Sequence, residues 1–131
     1  MTQAQVWKAT PFSIERKPGK DPSIVILRLS GPFTARDMYG SLTPAALQRL
    51  FDFQSIPGEQ SPLVNILDLT DVPYMDSSGL GILVTQFVHC QNRGIRMIAA
   101  QVSPRVLELF RMTKVDAIIP MTTTVEDADI P

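Results

Sequence analysis

The sequence predicts an α/β domain: one mixed, mostly parallel sheet with helices packed mainly on one side. Three observations predict it. The runs 24–29 and 63–69 are short, apolar and bounded by turn residues, as strands are. Two later segments, beginning near Ser77 and at Ser103, carry apolar residues at helical spacing. From residue 24 onward strands and helices alternate. Strand–helix–strand connections of this length imply parallel neighbours and right-handed crossovers.

The first extended segment, residues 6–16, places Val6, Trp7, Phe12 and Ile14 among polar residues. Residues 17–22, Lys-Pro-Gly-Lys-Asp-Pro, form a turn, because Pro and Gly pre-set turn dihedrals. Residues 24–29 return as an antiparallel partner, and Ser30-Gly31-Pro32 ends that strand. Thr43 caps a helix with Pro44 in its first position, where the missing N–H costs nothing. Ala46, Leu47, Leu50 and Phe51 share its apolar face. After a loop at 57–62, the nearly continuous apolar run 63–69 suits a strand covered on both faces.

A polar-interrupted connection, 70–76, leads to a helix that starts at Ser77 or Ser78. Its stripe is Leu80, Leu83, Val84, Phe87 and Val88, and Gly94 stands at its C′ position. Residues 95–100 form the next strand. Ser103-Pro104 repeats the cap-plus-proline start, with Val106, Leu109 and Phe110 buried, and Arg111 and Lys114 near the favourable end of the dipole. Residues 116–120 hold one last short strand. The tail, 121–131, is loosely attached with one helical turn.

Composition narrows the function classes. The chain has 131 residues, is 44% hydrophobic and 19% charged, and carries a net charge of −1. That is one domain with a core of its own, burying roughly 65–70% of its unfolded surface. Twelve basic and 13 acidic residues leave no basic footprint for nucleic acid. One Cys excludes a disulfide framework within the chain, and one His removes most imidazole chemistry. The longest apolar stretch, residues 79–84, is too short to span a bilayer. The first residues lack the pattern of a secretory signal, so a soluble cytoplasmic protein is expected.

One stretch carries the chemistry. Asp76-Ser77-Ser78-Gly79-Leu80-Gly81 joins a covered strand to an amphipathic helix. A first helical turn has unsatisfied N–H groups and a partial positive charge, so hydroxyls can cap it and anions can bind it. Asp76 or Ser77 suffices as N-cap, and two adjacent hydroxyls exceed what capping needs. Gly79 and Gly81 keep the surrounding surface low for a partner's approach. Phe33 and Tyr74 are partner anchors if exposed and core if buried.

Asn65-Ile66-Leu67-Asp68-Leu69, the connection through Val72-Pro73-Tyr74-Met75, and then Asp76-Ser77-Ser78-Gly79-Leu80-Gly81 resemble the signature of STAS domains, in particular of bacterial anti-sigma factor antagonists. Residues 103–110 are similar to the family's next helix, and Gly31-Pro32-Phe33 falls where the family has Gly-x-Leu. The resemblance covers residues 10–120, and the expectation is a single STAS domain over 1–131. It implies a partner switch. An anti-sigma factor with serine-kinase activity phosphorylates the antagonist, only the unphosphorylated form binds it and frees the sigma factor, and a PP2C-type phosphatase resets the cycle.

Carried onto this chain, the phosphoacceptor is Ser78, with Ser77 as fallback. Asp76, Ser77, Ser78, Gly79, Leu80, Gly81, Thr34, Phe33 and Tyr74 form the partner surface. Thr34 stands where the family commonly has an acid, with Arg36 and Asp37 following. No enzyme activity, cofactor, metal or membrane insertion is expected, and the chain is expected to be a monomer or weak dimer. Two alternatives stay open: an unphosphorylated STAS adaptor of a transporter or sensory complex, and an anion- or nucleotide-binding sensor.

Enzyme readings fail on inventory. A serine hydrolase needs the first Gly of a nucleophile elbow, and Met75 and Asp76 stand there. His89, eleven residues beyond Ser78 on the same helix, is about 16 Å away at 1.5 Å per residue. His89 and Cys90 are two metal ligands without companions. Asp68, Asp71 and Asp76 lack the Lys-containing loop of a phosphate site.

Overall fold

The computed structural model describes residues 5–9, 12–38 and 62–130. The helix expected to open at Thr43 lies outside the described residues. Six strands form one sheet in sequential order: β1 (Gln5–Ala9), β2 (Phe12–Pro18), β3 (Ile24–Ser30), β4 (Val64–Asp71), β5 (Arg96–Ala100) and β6 (Met121–Thr122). The first two pairings are antiparallel and the remaining three parallel. The helices are α1 (Ala35–Met38), α2 (Ser77–Asn92), α3 (Pro104–Met112) and α4 (Val125–Ala128). This is the mixed, mostly parallel α/β sheet that the sequence predicts.

The 6–16 segment differs from expectation: it is two strands, β1 and β2, paired from Gln5↔Arg16 to Ala9↔Phe12. The turn into β3 forms as read. The Gly19 N–H donates to the Ile24 carbonyl at 2.9 Å, and Asp21 accepts from the Ser23 amide and hydroxyl.

Helices α2 and α3 cover one sheet face. The main core there includes Phe12, Leu27, Leu67, Leu69, Leu83, Val106 and Phe110. The buried face of α2 is rotated from the expected stripe. Leu80, Leu83 and Phe87 are buried as read, but Val84 is only half-buried and Val88 is exposed, while Ile82, Gln86 and Cys90 turn inward. Apolar spacing alone cannot foresee this, because two inward residues have polar or sulfur side chains and satisfy one another. Gln86 Nε2 donates to Asn65 Oδ1 at 3.1 Å, and Cys90 Sγ lies 3.8 Å from the same oxygen. Asn65 Nδ2 in turn donates to the Val25 carbonyl at 3.3 Å. Buried polar groups persist when they are paired in this way.

The C-terminal segment corrects two expectations. Residues 115–117 form a 3-10 turn, entered through Lys114 at φ 62°, and the last strand is Met121–Thr122. Pro120 has no N–H for a ladder, yet its carbonyl accepts from the Ala99 amide at 2.9 Å, so the strand begins just after it. The tail expected to be loosely attached supplies α4, which covers the opposite sheet face. Ala128 packs with Ile24, Ile26, Val64, Ile66, Ile98 and Ala100. Asp129 accepts from the Lys20 amide at 2.9 Å, joining the tail to the β2–β3 turn.

Two measurements check this packing. Ala128→Asp places a charge against an apolar face and should lower unfolding free energy by about 2–4 kcal/mol in denaturant titrations. Burial pushes the Cys90 thiol up from 9.0 to about 11. Because the folded value is the higher one, the unfolded chain releases this proton first as pH rises. Stability should therefore decline between about pH 9 and 11, and thermal melts of Cys90→Ala should show a shallower decline over that window.

Candidate functional site

Because β3, β4 and β5 are parallel, the segments leaving their C-terminal ends gather at one sheet edge. Backbone and side-chain hydrogen bonds stitch them together. The Gly31 N–H donates to the Asp71 carbonyl at 2.9 Å, and the Phe33 N–H to the Tyr74 carbonyl at 3.0 Å. The Asp76 N–H returns to the Phe33 carbonyl at 3.3 Å, and Ser103 Oγ reaches the Pro73 carbonyl at 3.4 Å. The 72–76 connection is thus held from both sides.

Asp76 is the N-cap of α2, in extended backbone geometry. One carboxylate oxygen accepts from the Gly79 N–H at 3.0 Å. The other accepts from the Ala35 N–H, also at 3.0 Å, at the start of α1. One side chain therefore serves two helix starts. The side-chain cap of α2 is made without either serine hydroxyl. Ser77 is exposed and Ser78 half-buried, both in the first turn. Among the described residues, neither hydroxyl is engaged in a side-chain hydrogen bond. Both lie at a helix end that favours negative charge.

The structure places the other sequence-predicted residues unequally. Tyr74 and Gly81 are exposed beside the serines. Phe33 is completely buried and stacks on Phe12 with ring centroids 5.0 Å apart, so it is core and not a surface anchor. Leu80 is likewise buried in the main core. Thr34 is buried at 9% exposure; its hydroxyl donates to the Asp37 carboxylate and accepts from the Asp37 N–H. This reciprocal pair caps α1, so Thr34 shapes the site from beneath its surface. Gly79 also acts within the fold. A Cβ there would stand 2.1 Å from the Phe33 carbonyl oxygen, whereas one at Gly81 would meet nothing within 4 Å. Gly79 therefore departs from the expectation that both glycines keep the surface low, because it is buried against the Phe33 backbone.

Two basic residues at this edge escaped the sequence reading. The Arg105 guanidinium lies over the Tyr74 ring, 4.7 Å from its centroid. Arg28 pairs with Asp71, whose hydrogen bond and charge raise the guanidinium pKa above its ordinary value. Neither contact has a local signal, since the partners are far apart in sequence. The rival constellations separate. His89 is exposed while Cys90 is buried. Asp68 accepts from the Thr70 amide and hydroxyl, Asp71 binds Arg28, and Asp76 binds the two amides. Among the described residues, the three acids form no group able to hold a metal ion. No described helix is long and apolar enough to cross a membrane.

The family model described as "STAS domain" matches residues 17–128. The chain belongs to the STAS domain family. This STAS domain is 32% identical over 87 residues to the anti-sigma-B factor antagonist of Listeria monocytogenes, a match covering 66% of this chain and 73% of that protein. Its fold is similar to that of an anti-sigma factor antagonist from Mycobacterium paratuberculosis. That match has a TM-score of 0.66 and 21% identity, over 92% of this chain and 95% of that one. It is also similar to the phosphorylated form of the Bacillus cell fate determinant SpoIIAA. There the TM-score is 0.61 and the identity 18%, over 88% of this chain and 96% of that one.

The two glycines of this STAS motif should respond with opposite sign. Gly79→Ala forces the Phe33 carbonyl aside and should destabilise by about 1–3 kcal/mol. Gly81→Ala has open space in a helix and should stabilise by about 0.5–1 kcal/mol. Thermal or denaturant unfolding of the two variants checks this.

Proposed function

We propose that this STAS domain is a non-enzymatic anti-sigma factor antagonist, switched by phosphorylation of Ser78. Unmodified, it binds an anti-sigma factor that is also a serine kinase, and so releases a sigma factor. The observation that carries this reading is the division of labour at the start of α2: Asp76 does the capping, and the adjacent hydroxyls are left over. The curated relative named anti-sigma-B factor antagonist supports the role. The neighbour solved in a phosphorylated form supports the chemistry.

In the modification, Ser78 Oγ forms a bond to the γ-phosphorus of ATP as the bond to ADP breaks, and the hydroxyl proton leaves to a base of the kinase. A PP2C-type phosphatase then transfers the phosphoryl group to water, which restores the hydroxyl and releases inorganic phosphate. The added group brings about −1.5 to −2 charges and three acceptor oxygens. In the free domain it faces the positive end of α2, a placement worth about 0.3–1 kcal/mol in favour of the fold. At a docked interface the same charge meets desolvation and the neighbouring Asp76 carboxylate, at a cost of several kcal/mol. The fold survives and the complex does not. The surface involved comprises Ser77, Ser78, Gly81 and Tyr74, with Asp76 beneath them.

The test compares partner affinity of Ser78→Ala and Ser78→Asp by calorimetry, with the kinase and ATP supplied separately to the unaltered chain. Ser78→Ala should bind like the unaltered protein and accept no phosphate by mass. Ser78→Asp should bind at least about tenfold more weakly, the equivalent of 1.4 kcal/mol. Equal affinities of the two variants would remove the switch.

A further inference from the structure

We infer that modification of Ser78 is transmitted through the Asp76 carboxylate to the start of α1, so that the switch has two outputs rather than one. The inference rests on the reading that Ser78 is the phosphoacceptor. Its basis is the shared side chain: Asp76 holds the Gly79 N–H with one oxygen and the Ala35 N–H with the other, each at 3.0 Å. Ser78 lies between the cap and Gly79, in the first turn of the same helix.

A phosphoserine there adds three acceptor oxygens and a charge like that of Asp76. Asp76 holds only the Gly79 amide of this turn, and the phosphate, drawn to the same helix start, repels the like-charged carboxylate from it. The two amides held by Asp76 fare differently. Gly79 belongs to α2, so the phosphate can replace the carboxylate as its acceptor. Ala35 belongs to a different helix and loses its acceptor when the carboxylate turns away. Upstream, Phe33 keeps its own ties, donating to the Tyr74 carbonyl and accepting from the Asp76 N–H, and its ring is buried. Thr34 and Asp37 bond to each other, within the segment itself. What loosens is therefore the short α1, Ala35–Met38, including exposed Arg36, while the core beneath it stays packed. A partner docked across both helix starts then loses a shaped surface at α1 in addition to meeting a new charge at α2.

The test uses the full chain with phosphoserine introduced at position 78 during translation, and reads amide exchange and amide chemical shifts at Ala35 and Gly79 by NMR. Ala35 should exchange about tenfold faster in the phosphoserine protein, as loss of one ordinary hydrogen bond implies, while Gly79 stays protected. Asp76→Asn still caps α2 but offers a single acceptor oxygen. It should expose Ala35 without modification, and phosphoserine should add nothing further. Unchanged Ala35 exchange on phosphorylation overturns the coupling, and this comparison decides alone if Asp76→Asn does not fold. A full response of Ala35 in the Asp76→Asn background overturns it as well. Partner affinity, measured separately, distinguishes the two readings. Lost binding with unchanged Ala35 leaves the switch and removes the coupling. Unchanged binding with exposed Ala35 removes the switch.

Discussion

The edge of this domain that carries the serine motif depends on one carboxylate shared by two helices. A helix start presents amides that need acceptors, and two such starts meet where β3 and β4 end. Asp76 supplies an oxygen to each. Its own backbone N–H then returns to Phe33, closing a ring of hydrogen bonds around the Gly79 contact. The tightness of that contact is why no side chain fits at position 79. The arrangement also explains why two serines can stand in a first turn without being consumed by it.

The burial pattern separates the sources of stability from the serine motif. Energy comes from the apolar cluster under α2 and α3, from the smaller cluster under α4, and from the paired polar trio Asn65, Gln86 and Cys90. The serine hydroxyls contribute to none of these. A charge added at Ser78 changes the surface at a place where the helix dipole tolerates it. The proposed switch needs a fold indifferent to phosphorylation and an interface that is not. A serine at a helix start outside the core is compatible with both requirements.

The departure at Thr34 has a physical reading. A short polar side chain there reaches Asp37 three residues on and closes a reciprocal cap on α1. The first acid after this position is Asp37, and Thr34 orients it. On the other flank, Arg105 over Tyr74 gives the edge a cation set beside the serines. This edge therefore carries both signs of charge, a pattern that favours discrimination more than indiscriminate affinity at an interface.

Strands β3 and β4, the starts of α2 and α3 and the serine motif were legible in the sequence. Their signals are local: an apolar run between turns, a cap followed by proline, a hydroxyl pair after an acid. Tertiary structure decided what depends on distant partners. Phe33 and Leu80 belong to the core because α2 closes over the β3–α1 segment, and Gly79 is required by a carbonyl 46 residues earlier in the chain. The inward turn of Gln86 and Cys90 depends on Asn65, and the seating of α4 on an apolar sheet face that residues 24–26 and 64–66 only partly announce. Periodicity reports which residues can share a face. Which face is covered, and by what, is set by contacts between segments that a linear pattern does not contain.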